Sequence, residues 1–350
     1  MKKIVLGTTA LLAATALTTG SANAADKIKL SLGGYLQTSF IAADYDTDTN
    51  QLPTDIRHEG EVHFTGSTVL DNGLKFGVNI QLEARATGDQ VDETFMFVEG
   101  AFGRVNIGSE NSAAYLMHFA SPEPVVAWGL NDPTAEAGGF TTLSTAPTEV
   151  SDADKITYFT PRFSGFQIGA SYTPDGDEET GTSGGNSPYT PIQDEGVEDE
   201  AYSVGVNYIN TFNSVSVKAS LGYDIITSST IDDLEEISAG VQVGFAGFKV
   251  GGAYKFTDND ADTQDRERHD WNLGVTYGQG PWTVGVQYAR VELDNAADGE
   301  LDAVVVGGKY ILGPGITAFG GVQYFKGEDA LVGTEGDEAT IFFVGTALSF

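Results

Sequence analysis

The chain has 350 residues, with 50 acidic against 18 basic side chains and a formal net charge of −32. That balance excludes nucleic acid as a partner, because such binding needs clustered Lys and Arg to displace counterions. There is no cysteine, so no disulfide framework can staple the fold, while 41% hydrophobic residues with 20 Phe, 14 Tyr and 44 Gly exclude a disordered chain and describe a β-rich one.

At the start, Lys2 and Lys3 precede an apolar run from Ile4 to Thr19, followed by Ala22-Asn23-Ala24. This is the pattern of a secretory signal with an A-x-A cleavage site, and the run is too short to span a bilayer. Residues 1–24 are therefore expected to be removed, leaving a mature domain of residues 25–350. No later segment approaches the roughly 18 uninterrupted apolar residues of a transmembrane helix. If the mature chain enters a membrane, it must do so as a closed barrel, since open strand edges cannot face lipid.

Along the chain the dominant signal is alternation with period two, the mark of strands with one apolar face. In "IKLSLGGYLQTSF" the positions Ile28, Leu30, Leu32, Leu36 and Phe40 alternate with Lys29, Ser31, Gln37 and Ser39. "LKFGVNIQLEA" sets Leu74, Phe76, Val78, Ile80 and Leu82 against Lys75, Asn79, Gln81 and Glu83, and the segments around Trp271 and Trp282 repeat the pattern. Strands are expected near 27–42, 58–70, 74–86, 92–101, 104–109, 155–160, 166–174, 201–210, 213–224, 234–245, 247–257, 269–278, 281–292, 301–312, 315–326 and 339–350. Their connections alternate in kind. Short ones such as 71–73, 161–165 and 313–315 hold turn residues, and long ones such as "DYDTDTNQLPTD" and "TDNDADTQDRERHD" hold acid.

Even strand number, alternating short and long connections and a final strand ending on Phe350 point to an all-β, antiparallel transmembrane barrel of about 16 strands. In the last strand Phe342, Val344, Leu348 and Phe350 share the lipid phase, while Phe343, Gly345, Ala347 and Ser349 point inward. Tyr158, Tyr172, Tyr208, Tyr277, Trp282, Tyr288 and Tyr310 fall near strand ends, where interfacial girdles lie. A soluble sandwich could use the same alternation, but sixteen strands in one sandwich would be unusual.

The segments "FGRVNIGSENSAAY" (102–115), "ITYFTPRFSGFQIGASYTPD" (156–175) and the closing "GTALSF" resemble the Gram-negative general porins, most nearly the sixteen-stranded trimeric porins of alphaproteobacteria. The resemblance implies a passive pore for small polar solutes in the outer membrane, a homotrimer, a third external loop folded inward, and a C-terminal strand read by the outer-membrane assembly machinery. Two departures stand out. Ser109 and Thr157 occupy positions where relatives often carry arginine, which argues against a strongly basic half of the constriction.

The segment from Glu110 to Asp154 holds no Lys or Arg and is too long for a hairpin connection. With Tyr115, Phe119, Trp128 and Phe140 it carries too much aromatic surface for a solvated tail, and it reads as the constriction loop. Its carboxylates Glu110, Glu123, Asp132, Glu136, Glu149, Asp152 and Asp154 are candidate pore-lining groups. Strand alternation puts Lys75, Gln81, Glu83 and Arg85 on the lumen side, with Glu59, Glu61 and His63 from the preceding strand. An acidic loop facing Lys75 and Arg85 would set a transverse field, and the excess of carboxylates predicts cation selectivity that fades with salt.

Asp44, Asp46 and Asp48, and again Asp258, Asp260 and Asp262, have the alternate spacing of calcium loops but lack the glycine and closing glutamate of an EF-hand. Loosely bound Ca2+ or Mg2+, bridging these acidic connections to lipopolysaccharide phosphates at the membrane lipid surface, is the expectation there. His58, His63, His118 and His269 form no H-E-x-x-H, and no G-x-S-x-G elbow occurs, so no enzyme is expected.

Overall fold

In the computed structural model the described residues are 27–46, 52–84, 90–131, 143–148, 150, 152–176, 200–228, 233–261, 264–294, 299–328 and 337–350. The proposed signal segment, Arg85, Asp132, Glu136, Phe140, Glu149, Asp48 and Asp262 lie outside them. Sixteen strands follow in order: β1 (Ser31–Tyr45), β2 (Thr54–Val69), β3 (Lys75–Glu83), β4 (Val91–Gly100), β5 (Gly103–Ser109), β6 (Asp154–Phe159), β7 (Phe166–Thr173), β8 (Ala201–Phe212), β9 (Val215–Ile226), β10 (Leu234–Phe245), β11 (Phe248–Ala261), β12 (Gln264–Gln279), β13 (Trp282–Asp294), β14 (Gly299–Gly313), β15 (Ile316–Glu328) and β16 (Asp337–Ser349). Among the described residues one short helix, α1 (Ala113–Met117), interrupts them between β5 and β6.

Each strand pairs antiparallel with its chain neighbours, and β1 pairs with β16 from Tyr35 opposite Ser349 to Tyr45 opposite Ala339, closing the barrel. The seam extends one residue further through Gly34 N–H to the Phe350 carbonyl at 3.0 Å and the return bond at 3.1 Å. Gly34 has φ +150° there, and a Cβ would collide with the Glu61 carbonyl, so the closing pair needs glycine. Closure removes the edges that an open sheet would present to lipid.

The alternation is carried through in space. Phe342, Val344, Leu348 and Phe350 are exposed on the outer face, whereas Ile341 and Phe343 are buried inside. Turn chemistry fixes the tight rim: Asn213 (φ 55°), Ala246 (φ 51°) with Gly247 (φ 87°), and Gly315 (φ 69°) take left-handed conformations between paired strands. Outward aromatics pair near that rim as Phe166–Tyr208, Phe248–Tyr277 and Trp282–Tyr310, and toward the opposite rim as Tyr172–Tyr202 and Trp271–Tyr288. Among the described residues, the outer faces of β16 and β1–β5 carry no Tyr or Trp, so the girdle is interrupted over that sector.

One expectation fails here. The acidic stretch 257–270 is mostly ladder rather than loop, because β11 runs to Ala261 and β12 restarts at Gln264. In the backbone register Asp258 lies opposite Glu267 and Asp260 opposite Asp265, so these positions belong to a long hairpin. Alternating Asp and polar residues satisfy a strand as readily as a loop once the register is set by the apolar halves of β11 and β12. Asp44 and Asp46 are exposed at the end of β1. Among the described residues no group of three or more His, Asp or Glu is disposed to hold a metal ion.

Candidate functional site

The segment between β5 and β6 folds into the barrel and runs along its inner wall. What lets it in is a set of inward-facing glycines. Gly169, Gly205 and Gly222 stand opposite one another across β7, β8 and β9, and a Cβ on them would meet Met117, the backbone of Ala113 or the side chain of Ala114. Farther round, a Cβ on Gly240 would collide with the Phe119 carbonyl, on Gly274 with that of Pro122, and on Gly307 with Val125. The missing side chains make a groove for the loop backbone to lie in.

Small polar side chains of the wall satisfy the backbone groups buried there. Ala113 N–H donates to Ser171 Oγ at 3.0 Å, Ala114 N–H to Ser203 Oγ at 2.9 Å, Phe119 N–H to Ser220 Oγ at 2.9 Å and Ser121 N–H to Asn272 Oδ1 at 2.9 Å. Leu130 N–H donates to Gln287 Oε1 at 2.7 Å, and Gln323 Nε2 donates to the Trp128 carbonyl at 2.8 Å. Ser112 caps α1 through Tyr115 N–H and donates its hydroxyl to Asp224 at 2.7 Å. The returning arm is held by Thr148 N–H on Glu236 Oε2 at 3.0 Å, and Glu236 pairs with Lys255 at 2.9 Å.

The far end of the loop is anchored by apolar packing. Val125, Trp128, Leu130 and Leu143 are buried against the inward residues of β13–β16, including Val291, Leu301, Val305, Phe319 and Ile341. Trp128 stacks on Phe343 with ring centroids 4.7 Å apart and donates its indole N–H to Ser39 Oγ at 3.1 Å. His118 bonds Thr145 Oγ1 at 3.0 Å, and burial, with Lys255 nearby, lowers its pKa to about 3, so it serves as a neutral strut.

The hydrogen bonds described above tie loop positions 112–131 to β7–β9, β12, β13, β15 and β1, and the sector β2–β5 stands across the lumen from that seat. It holds Glu61 and His63 as the alternation requires, with His63 Nε2 2.7 Å from Glu61 Oε2. The Tyr35 hydroxyl lies 2.8 Å from Glu61 Oε1 and 3.0 Å from Glu59 Oε1. Gln81 donates to Glu93, and Glu83 stands opposite Glu61. Lys75 pairs with Glu99 at 3.6 Å, and Arg104 stacks over Phe97 at 3.9 Å from its centroid.

The loop carboxylates distribute differently from the sequence expectation. Glu110 and Asp152 are buried where the loop leaves and rejoins the wall. Asn106 Nδ2 reaches both Glu110 oxygens at 2.8 Å, and Lys155 donates to the Glu110 carbonyl. Burial pushes the Glu110 pKa up to about 7 against the pull of Asn106, Arg104 and Lys155. Asp154 is the first residue of β6 and is exposed in the outward phase of Ile156 and Tyr158, so it does not line the pore. The period-two pattern already reaches back to it, and treating it as loop missed that. Glu123 alone of the described loop carboxylates is half-buried on the loop body; burial raises its pKa to about 7, with Lys309 opposing.

The sequence reading did not single out Lys155, Arg104, Lys218, Lys249 or Lys309. All lie in the inward phase of their strands, so strand parity alone could have found them. The expected transverse field, acidic loop against basic wall, is not what the described residues form. The wall β2–β4 is rich in carboxylates, Glu59 and Glu61 among them buried, and Lys218, Lys249 and Lys309 sit below the loop on its own side.

A sequence profile of Gram-negative porins matches residues 8–330. This chain belongs to the Gram-negative porin family. A Halomonas protein named monosaccharide porin is 27% identical to this porin over 322 residues, 84% of this chain and 80% of the relative. Among solved structures, the anion-selective porin from Comamonas acidovorans superposes with a TM-score of 0.64 at 18% identity, covering 93% of this chain and all of the other. OmpT of Vibrio cholerae, described in trimer form, gives 0.64 at 14% identity and 93% coverage. The porin is a passive channel of the outer membrane and not an enzyme, with its tight turns on the periplasmic rim.

Proposed function

We propose that this porin passes small hydrophilic solutes and ions as a homotrimer, with a preference for cations. The observation that carries the selectivity is the carboxylate content of the wall β2–β4, where Glu83 and Glu93 are partly exposed and Glu59 and Glu61 lie buried behind Tyr35 and His63. Carboxylates in a narrow low-dielectric passage raise the local cation concentration, and 50 acidic residues across the chain extend that field to the mouth. The trimer reading is supported by the interrupted girdle. Outer faces meant for the lipid interface carry Tyr and Trp on this barrel, and the sector from β16 through β5 carries Phe40, Phe64, Met96 and Phe342 instead, as a subunit contact would.

The test is a planar bilayer recording in a salt gradient. Cation selectivity predicts a reversal potential of the sign set by cation flow, shrinking toward zero as salt screens the wall. Preferred chloride passage overturns the selectivity, and conductance steps that never group in threes count against the trimer.

A further inference from the structure

The charges of the lumen are separated along the pore axis. Below the loop, on the periplasmic side, Lys218, Lys249 and Lys309 project inward from β9, β11 and β14. Each lies only a few residues from a tight turn, on the rim side of the level where the loop crosses at Ser220, Gly240 and Gly307. Lys249 is near enough to both Lys218 and Lys309 for their charges to repel, while Glu123 on the loop attracts Lys309 from beyond ion-pair distance. Among the described residues none of the three has a carboxylate within ion-pair distance, although the chain has far more acid than base. Arg162, in the turn before β7, adds a fourth cation to this side. Its guanidinium donates to the Gly165 carbonyl at 2.7 Å, Gln167 Oε1 at 2.7 Å and Asn207 Oδ1 at 2.8 Å, all of them neutral acceptors.

Glu123 offsets one of these charges at most, and placing the remaining like charges together is costly unless something else supplies the counter-charge. Lys218 and Lys249 are exposed, so water and a mobile ion can reach them, and the Lys218 ammonium lies 5.2 Å from the centre of the Phe119 ring at the loop's lower edge. We propose that this arc is a binding subsite for small oxyanions carrying two or more negative charges, held at the periplasmic vestibule beneath the constriction. The inference rests on the chain being a water-filled pore. It deepens that reading by giving the channel an acidic wall at and above the constriction and a basic station below it. A polyvalent anion gains from two or three ammonium groups at once, whereas chloride gains from one at a time, so the station discriminates by valence.

The probe is inorganic pyrophosphate, added to both sides of a bilayer holding the reconstituted channel at low salt. Wild-type channels should show pyrophosphate-dependent interruptions of current, and the triple variant K218Q/K249Q/K309Q should need on the order of tenfold more pyrophosphate for the same block. K326Q removes a cation from the outward phase of β15 and should leave the block within about twofold of wild type. A conducting channel whose block is absent, or identical in the triple variant, overturns the subsite and leaves the pore intact. A block that weakens as much in K326Q also overturns it, since net charge alone would then be acting. A barrel that carries no current overturns the pore reading, and the subsite with it.

Discussion

The inner wall of β7–β16 and that of β1–β5 are built on the same alternation, yet one is a seat and the other a surface. On the first, the inward phase presents glycines, serines and then Val291, Leu301, Val305 and Phe343, all covered by the loop. On the second it presents a polar network instead, in which Glu59 and Glu61 are buried against Tyr35 and His63 while Gln81 and Glu83 are partly exposed. The lesson is that an inward phase is not by itself a pore lining. Whether a lumen residue meets water depends on what the chain folds across it, and here the loop turns the wall of β13–β16 and part of β1 into ordinary hydrophobic core.

The sharpest break of that contrast is W128A. Removing a buried, stacked indole should cost about 3–5 kcal/mol, loosen the loop from β15, β16 and β1, and give larger, noisier conductance steps. Y35F on the open wall is the counterpart: it removes the hydroxyl that lies between Glu59 and Glu61, costs about 1 kcal/mol, and shifts ion selectivity with little change in step size. Thermal unfolding of the reconstituted barrel and single-channel recording read both. Equal effects from the two variants would abolish the distinction between seat and surface.

G240A probes the same seat from the wall side. A methyl there points into the Phe119 carbonyl, so the loop must move, at a cost of about 1–3 kcal/mol. Raised conductance is expected. An unchanged conductance and melting temperature would show that the groove does not hold the loop.

Much of this was legible in the sequence, for a physical reason. A strand states its two faces within a few residues, so β1, β3, β12, β13 and β16 could be read locally, and the tight turns at Asn213, Gly247 and Gly315 mark themselves by the residues that left-handed φ favours. The loop announced itself by length and by Trp128. Its path did not, because it follows no period: which of its carboxylates meets water is decided by glycines more than fifty positions away, such as Gly205 and Gly240. That is why Glu110 and Asp152 read as pore lining and prove buried, and why the lysines below the loop carried no signal beyond parity.

A subtler probe of the seat is pH. Burial raises Glu110 and Glu123 to about 7, above the ordinary carboxyl value of the unfolded chain. A raised carboxyl favours the folded state fully at pH below the unfolded value. That contribution is lost as pH climbs from about 4.5 through about 7 and changes little beyond. Seating of the loop should therefore weaken over this window, while ionisation of Glu123 increases cation preference between about pH 6 and 8. E123Q should flatten most of the selectivity change and leave the part of the stability change that belongs to Glu110. A selectivity that does not move with pH in the wild type would mean Glu123 does not touch the conducting path.

The smallest expected effect lies at the periplasmic rim, where neither wall differs from the other. Ala246 and Gly247 form the tight turn between β10 and β11 with φ of 51° and 87°. The first position suits Asn far better than Ala, because alanine's Cβ crowds the carbonyl in the left-handed region and asparagine's short polar side chain bonds locally. A246N should stabilise the barrel by about 0.5–1 kcal/mol and leave conductance, selectivity and pH response untouched. Because the turn is far from the loop's contacts with Gly240 and Gln242, a change in conductance with this variant would mean that strain at the rim reaches the seat through β10. The two walls would then be mechanically joined, and the separation argued from their contacts would not hold.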